Sequence, residues 1–154
     1  MSYVVVTQAK IAPDYRDEAM SALEQFKEIW SSNGAYRVLQ GNLMTGTNVQ
    51  CSMSFNYFEN MSDVERAFEA MREAPIVKQT MKSGKFTILR RGILKNLFSF
   101  GTGGSVQAKY IVITNGTAET PELAAIEKPA NVLNANGAIS GSYGQFIMGD
   151  QANG

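Results

Sequence analysis

Apolar and polar positions follow two different periods along the first 95 residues, and each change of period marks an element. Tyr3-Val-Val-Val-Thr-Gln-Ala9 is rich in β-branched side chains and predicts a buried strand. Pro13 and Asp14 open a helix, because proline suits a first turn and a carboxylate suits the positive end of the helix dipole. Ala19, Leu23, Phe26 and Trp30 then recur at spacings of four and three, which puts them on one face, with Asp17, Glu24 and Glu28 on the other. Asn33-Gly34 ends that helix.

Tyr36 to Met44 predicts a second strand and Gly46-Thr47-Asn48 a turn. Val49 to Tyr57 alternates most clearly. Cys51, Met53, Phe55 and Tyr57 are expected to meet the helices, and Ser52, Ser54 and Asn56 to point to the opposite face. Ser62-Asp-Val-Glu65 has the form of a capping box, and its helix carries Val64, Phe68 and Met71 inward before stopping near Pro75. Phe86 to Leu94 predicts a fourth strand. The order β-α-β-β-α-β defines an α+β protein of the ferredoxin-like arrangement.

The second part of the chain repeats the first in outline. Tyr3–Thr7 returns as Tyr110-Ile-Val-Ile-Thr114, Asn33-Gly34-Ala35 as Asn136-Gly137-Ala138, and the Gly41 and Gly46 pair as Gly144 and Gly149. The repeat predicts a complete module over residues 1–95, a Gly-rich linker over 96–109, and an incomplete second ferredoxin-like repeat over 110–154. In that repeat a strand at Tyr110–Thr114 precedes a helix opened by Thr120-Pro121-Glu122, which Pro129 should kink or split, and a strand around Ser142–Met148.

Composition mostly excludes. Fourteen basic and fourteen acidic side chains balance, so neither nucleic acid nor an anionic membrane is expected as a partner. One cysteine, Cys51, rules out an intrachain disulfide, and the absence of a signal-like start predicts a cytoplasmic protein. No histidine occurs, which removes Ser-His-Asp and Cys-His catalysis and the common zinc and haem ligand sets. No cofactor or metal is expected. Cys51, without an imidazole, reads as a small apolar residue. The basic stretch from Lys78 to Lys95 contains no acidic residue. Its neighbouring strand lacks the glycines and basic start of RNA-binding modules, so it reads as solvated surface.

With both helices on one side of the sheet, the other side must be solvated, covered or used. Tyr3, Val5 and Thr7 are assigned to that side together with Ser52, Ser54 and Asn56. Their mixed character suits either a small-molecule cavity between two packed sheets or a wet interface between copies of the chain.

The Tyr-Val-Val-Val-Thr strand, the helix ending Trp30-Ser-Ser-Asn-Gly-Ala35, the Gly41…Thr45-Gly46 turn and Phe58-Glu-Asn-Met-Ser-Asp63 resemble the antibiotic-biosynthesis-monooxygenase-like group of the dimeric α/β-barrel superfamily. The resemblance implies two ferredoxin-like sheets packed face to face, either from two chains or from two repeats of one chain, and a homo-oligomer through the sheet face is expected. It also implies a small apolar or aromatic ligand or, alternatively, cofactor-independent oxygenation of an aromatic substrate; a non-catalytic oligomerisation module is the third reading. Quinone-forming members use an Asn, a Trp and an Arg, for which Asn42, Trp30 and Arg90 are the nearest matches by type. Haem-degrading members use a histidine that this chain lacks. The ligand-binding set expected from the residues is Tyr3, Thr7, Ser52, Ser54, Asn56 and Arg90.

Overall fold

The computed structural model describes residues 2–101, 109–117, 119 and 123–149. β1 (Tyr3–Ile11) leads through a 3-10 turn at Pro13–Tyr15 into α1 (Arg16–Ser32). There follow β2 (Ala35–Asn42), β3 (Ser52–Phe58), α2 (Met61–Glu73), α3 (Pro75–Lys82), β4 (Phe86–Gly101), α4 (Leu123–Ala135) and β5 (Ser140–Gly149). The protein is α+β. Its five strands form one open sheet in the order β2-β3-β1-β4-β5, every neighbouring pair antiparallel.

The core lies between one face of this sheet and α1, α2 and α3. The predicted inward stripe of α1 is buried: Ala19, Leu23, Phe26 and Trp30, with Ala22 beside them. Val64, Ala67 and Met71 of α2 meet them, and the sheet contributes Val5, Ala9, Phe58, Phe86 and Ile93. Aromatic rings meet edge to face, Trp30 at 6.0 Å from Phe58 and 5.4 Å from Phe68, an arrangement favoured by the ring quadrupoles. Gly34 ends α1 at φ +106°, and a Cβ there would stand 2.8 Å from the Asp63 side chain. Only glycine suits both the dihedral and the space.

Several boundaries differ from expectation for local reasons. The cap of α2 is Asn60 and not Ser62: the Asn60 Oδ1 accepts from the Asp63 N–H at 2.9 Å, and Ser62 Oγ donates to that same oxygen. A helix does stop before Pro75, but Pro75 begins another. Ala74 is extended, as the residue before a proline prefers, and Pro75 occupies the first turn of α3, where its missing N–H is harmless.

β4 continues to Gly101, through the first six residues of the expected linker, because β5 pairs with it from Gly92 to Gly101. The rest of that linker, 102–108, lies outside the described residues, as does the expected helix opening at Thr120–Glu122. Tyr110–Thr114 is not a strand. Its counterpart β1 is held between β3 and β4, whereas Val112 stands 91% exposed without such neighbours. α4 runs through Pro129 unsplit; Pro129 is exposed, so the carbonyl it leaves unpaired can be solvated.

The second face of the sheet is covered by the same chain. Ile113, Asn115 and Phe146 close over Val6, Gln8, Met53, Phe55 and Leu94, leaving a void of about 50 Å³. Ile113, Asn115 and Phe146 thus stand against part of the face on which a second copy was expected to dock. Among the described residues no helix is long and apolar enough to cross a membrane.

Candidate functional site

Antiparallel partners directly opposite one another point to the same face of a sheet, so the register decides which side chains meet the helices. Tyr3 pairs with Phe58, Val5 with Asn56, Thr7 with Ser54 and Ala9 with Ser52. Val5 and Phe58 belong to the helix-side core. Ser52, Ser54 and Asn56 therefore face the helices, while Met53, Phe55 and Tyr57 face the other way. This reverses the assignment made from alternation. The period of two was read correctly, but both faces of this sheet are covered, so apolarity alone does not identify the helix side.

A cavity of about 290 Å³ lies on the helix side. Its walls are apolar and largely aromatic: Leu23, Phe26 and Trp30 of α1, Phe68 and Met71 of α2, Val77 of α3, and Phe86 and Ile88 of β4. The floor is different. Gln40, Ser54, Thr7 and Arg91 stand opposite one another on β2, β3, β1 and β4, forming a polar row across four strands, and all four line the cavity. Ser52 lies one row along, beside Ala9 and Ile88. Arg72 and Met81, both exposed, stand at the rim.

Arg91 reaches the floor through a β-bulge. Gln8 pairs with Arg90 but Ala9 pairs with Ile88, so Leu89 has no opposite residue and the phase of β4 shifts by one. Ile88 and Arg91 consequently share the helix face, and Arg90 turns to the far side beside Gln8 and Phe146. The Arg91 Nε donates to Thr7 Oγ1 at 3.0 Å, and its guanidinium carbon stands 5.5 Å from the centre of the Phe68 ring. Burial holds its pKa below the usual arginine value. It stays charged at neutral pH nonetheless, as arginines in proteins do. Among the described residues no carboxylate pairs with it.

Of the six residues expected to bind a ligand, Thr7, Ser52 and Ser54 line this cavity. Tyr3 shares their face but packs against the core. Asn56 lies one row from Ser54, fully buried; its Nδ2 donates to the Val5 carbonyl at 3.5 Å and its Oδ1 has no partner. Arg90 is on the opposite face. Trp30 is both core and cavity wall, 3% exposed, and Asn42 is exposed at the end of β2.

Gln40 and Arg91 were not anticipated. A signal for Arg91 exists in the sequence: the inward residues of β4 are Phe86 and Ile88, then Ile93, and that change of parity requires a bulge between them. Leu94, also apolar, obscures it. Among the described residues no three of Cys, Asp and Glu converge as metal ligands.

The arrangement can hold a flat apolar molecule between aromatic walls, with one fixed cation and several neutral hydrogen-bonding groups beneath it. No curated protein matches the chain. The family model that does match covers residues 1–96, from the start of β1 to the middle of β4, and the chain belongs to that family, described as a domain of unknown function, DUF6854.

Proposed function

We propose that this protein is a ferredoxin-like module of the dimeric α/β-barrel kind that binds a small aromatic molecule carrying an anionic oxygen. The site is the cavity between the sheet and helices α1–α3, not a space between two sheets. One observation carries the reading: Arg91 places a half-buried guanidinium, without a carboxylate partner among the described residues, on the floor of an apolar cavity. A guanidinium drawn partly out of water with no counter-ion favours a ligand that brings the opposite charge. An aromatic carboxylate or phenolate would do so while its ring fills the space among Phe26, Trp30 and Phe68. The volume lies near the lower end of ligand pockets, roughly 300–1,000 Å³, which suits one or two rings. Trp30, the single tryptophan of the chain, forms part of the wall and is a built-in reporter. Titration with 2-naphthoate should change its fluorescence saturably in the wild type and much less in Arg91→Leu. Equal responses in the two proteins would refute the reading.

A second reading, cofactor-free oxygenation of the bound aromatic, is favoured by the same fixed cation. In such chemistry the substrate anion reacts with oxygen, and the protein need only orient it and stabilise charge with donors already in place. Oxygen uptake with phenols and hydroquinones that is lost in Arg91→Leu would support it, and no uptake with any of them would leave a binding protein.

A further inference from the structure

We infer that the ligand of this cavity has two polar ends: an anionic oxygen met by Arg91 and, across the ring system, a neutral hydroxyl met by Ser54 and Gln40. The inference rests on the aromatic-anion reading above and deepens it to a ligand class, the hydroxyaryl carboxylates and their phenolic equivalents.

The polar row supplies the argument. Arg91, Thr7, Ser54 and Gln40 occupy one transverse line on four adjacent strands, so their separations follow the strand spacing, about 4.8 Å per step. Thr7 is already engaged, since its hydroxyl accepts from Arg91 Nε. The guanidinium is therefore anchored over β1 and keeps its remaining N–H groups for a ligand. Gln40, two strands away, uses one amide hydrogen on the Leu23 carbonyl at 3.1 Å. That bond fixes the orientation of its side chain and leaves the amide oxygen able to accept. Ser54, between Thr7 and Gln40, presents a hydroxyl that both donates and accepts.

A purely apolar ligand end would strip water from Ser54 and Gln40 and return nothing, which disfavours such a ligand. A ligand with a hydroxyl at that end satisfies both groups. The spacing between the guanidinium over β1 and the Gln40 amide over β2 is about two strand steps, roughly 10 Å. A substituted naphthalene lying above the row carries its two oxygens nearly that far apart, so each is met from the floor beneath, with the ring faces against the aromatic walls. Discrimination should be strong, because a site built to hydrogen-bond a hydroxyl leaves buried groups unpaired when the hydroxyl is missing.

The test compares 6-hydroxy-2-naphthoate, 2-naphthoate and 2-naphthol by Trp30 fluorescence and calorimetry on the full chain. In the wild type the hydroxynaphthoate should bind about tenfold to a hundredfold more tightly than 2-naphthoate, the range expected of one to two buried hydrogen bonds. Ser54→Ala should reduce that preference to threefold or less, by weakening the hydroxynaphthoate and by relieving 2-naphthoate of the unpaired hydroxyl beneath it. Gln40→Leu should act in the same direction, and its thermal unfolding identifies any loss caused by the broken Leu23 bond. Arg91→Leu should weaken both carboxylates and spare 2-naphthol. Equal affinities for the two naphthoates in the wild type would overturn this inference and leave the aromatic-anion reading standing. Failure of all three compounds to bind would overturn that reading and this one with it.

Discussion

Arg91 Nε donates to Thr7 Oγ1 at 3.0 Å, across the β1–β4 ladder and beneath the helices. The bond exists because the bulge at Leu89 turns Arg91, and not its neighbour Arg90, into the interior. It aims a cation at a space that the protein itself does not fill with negative charge.

Replacing Arg91 separates ligand binding from stability. Arg91→Leu should weaken binding of 2-naphthoate by about tenfold to a hundredfold, the value of a charge-assisted hydrogen bond of roughly 1.5–3 kcal/mol. Its melting temperature should hold or rise, since a half-buried charge without a counter-ion disappears. Calorimetry and thermal denaturation read both effects. A large fall in stability with unchanged affinity would make Arg91 a structural residue.

Asn56 offers a test confined to stability. It is fully buried, with one long hydrogen bond and an amide oxygen that finds no partner. Such a group is desolvated for little return, so Asn56→Val, only slightly larger and suited to a strand, should stabilise the fold by about 1 kcal/mol. For a chain of this size that is about 2–4 °C in melting temperature. Destabilisation of similar size would show that the Asn56 amide bonds more strongly than the geometry indicates.

Tyr57 gives a pH dependence. Burial raises its phenolic pKa above the ordinary value, against the opposing charge of Arg37. The folded state therefore holds this proton at a pH where the unfolded chain releases it. Stability from this group is complete below about pH 10 and is lost as pH rises through the folded pKa. Tyr57→Phe should flatten the alkaline fall in unfolding free energy. An identical alkaline slope in the two proteins would show that this hydroxyl is not desolvated in the folded state.

Gly92 tests the covering of the second face. A Cβ at this position would meet the Phe146 ring at 2.8 Å and the Met148 carbonyl oxygen at 2.9 Å. Gly92→Ala should destabilise by about 1–3 kcal/mol, the usual effect of overpacking. Adding Phe146→Ala should recover part of that loss, and the double-mutant cycle measures the contact. Strictly additive effects would mean that β5 does not lie against β4 as described.

How much of this was readable beforehand depends on the distance over which each feature is decided. The stripe of α1 was legible because Ala19, Leu23, Phe26 and Trp30 obey a helical period, which local geometry imposes on any helix with one buried face. The strand sequences of residues 1–95 were legible from their alternation, as was the end of α2 before Pro75, whereas Tyr110–Thr114, equally strand-like in sequence, is not a strand. What alternation supplied for β3 was the partition of its side chains into two sets, not the side each set occupies. That choice was made by Ile113, Asn115 and Phe146, which cover Met53 and Phe55 from more than fifty residues away. The candidate site depended on a still smaller event. Arg90 and Arg91 are chemically identical neighbours, and only the pairing of β4 with β1, with Leu89 left over, decides which enters the cavity. Composition and local period therefore determined the elements and their amphipathic stripes. The face, the bulge and the polar row of Gln40, Ser54, Thr7 and Arg91 were decided by tertiary structure, because strand register is a property of two segments together and neither contains it alone.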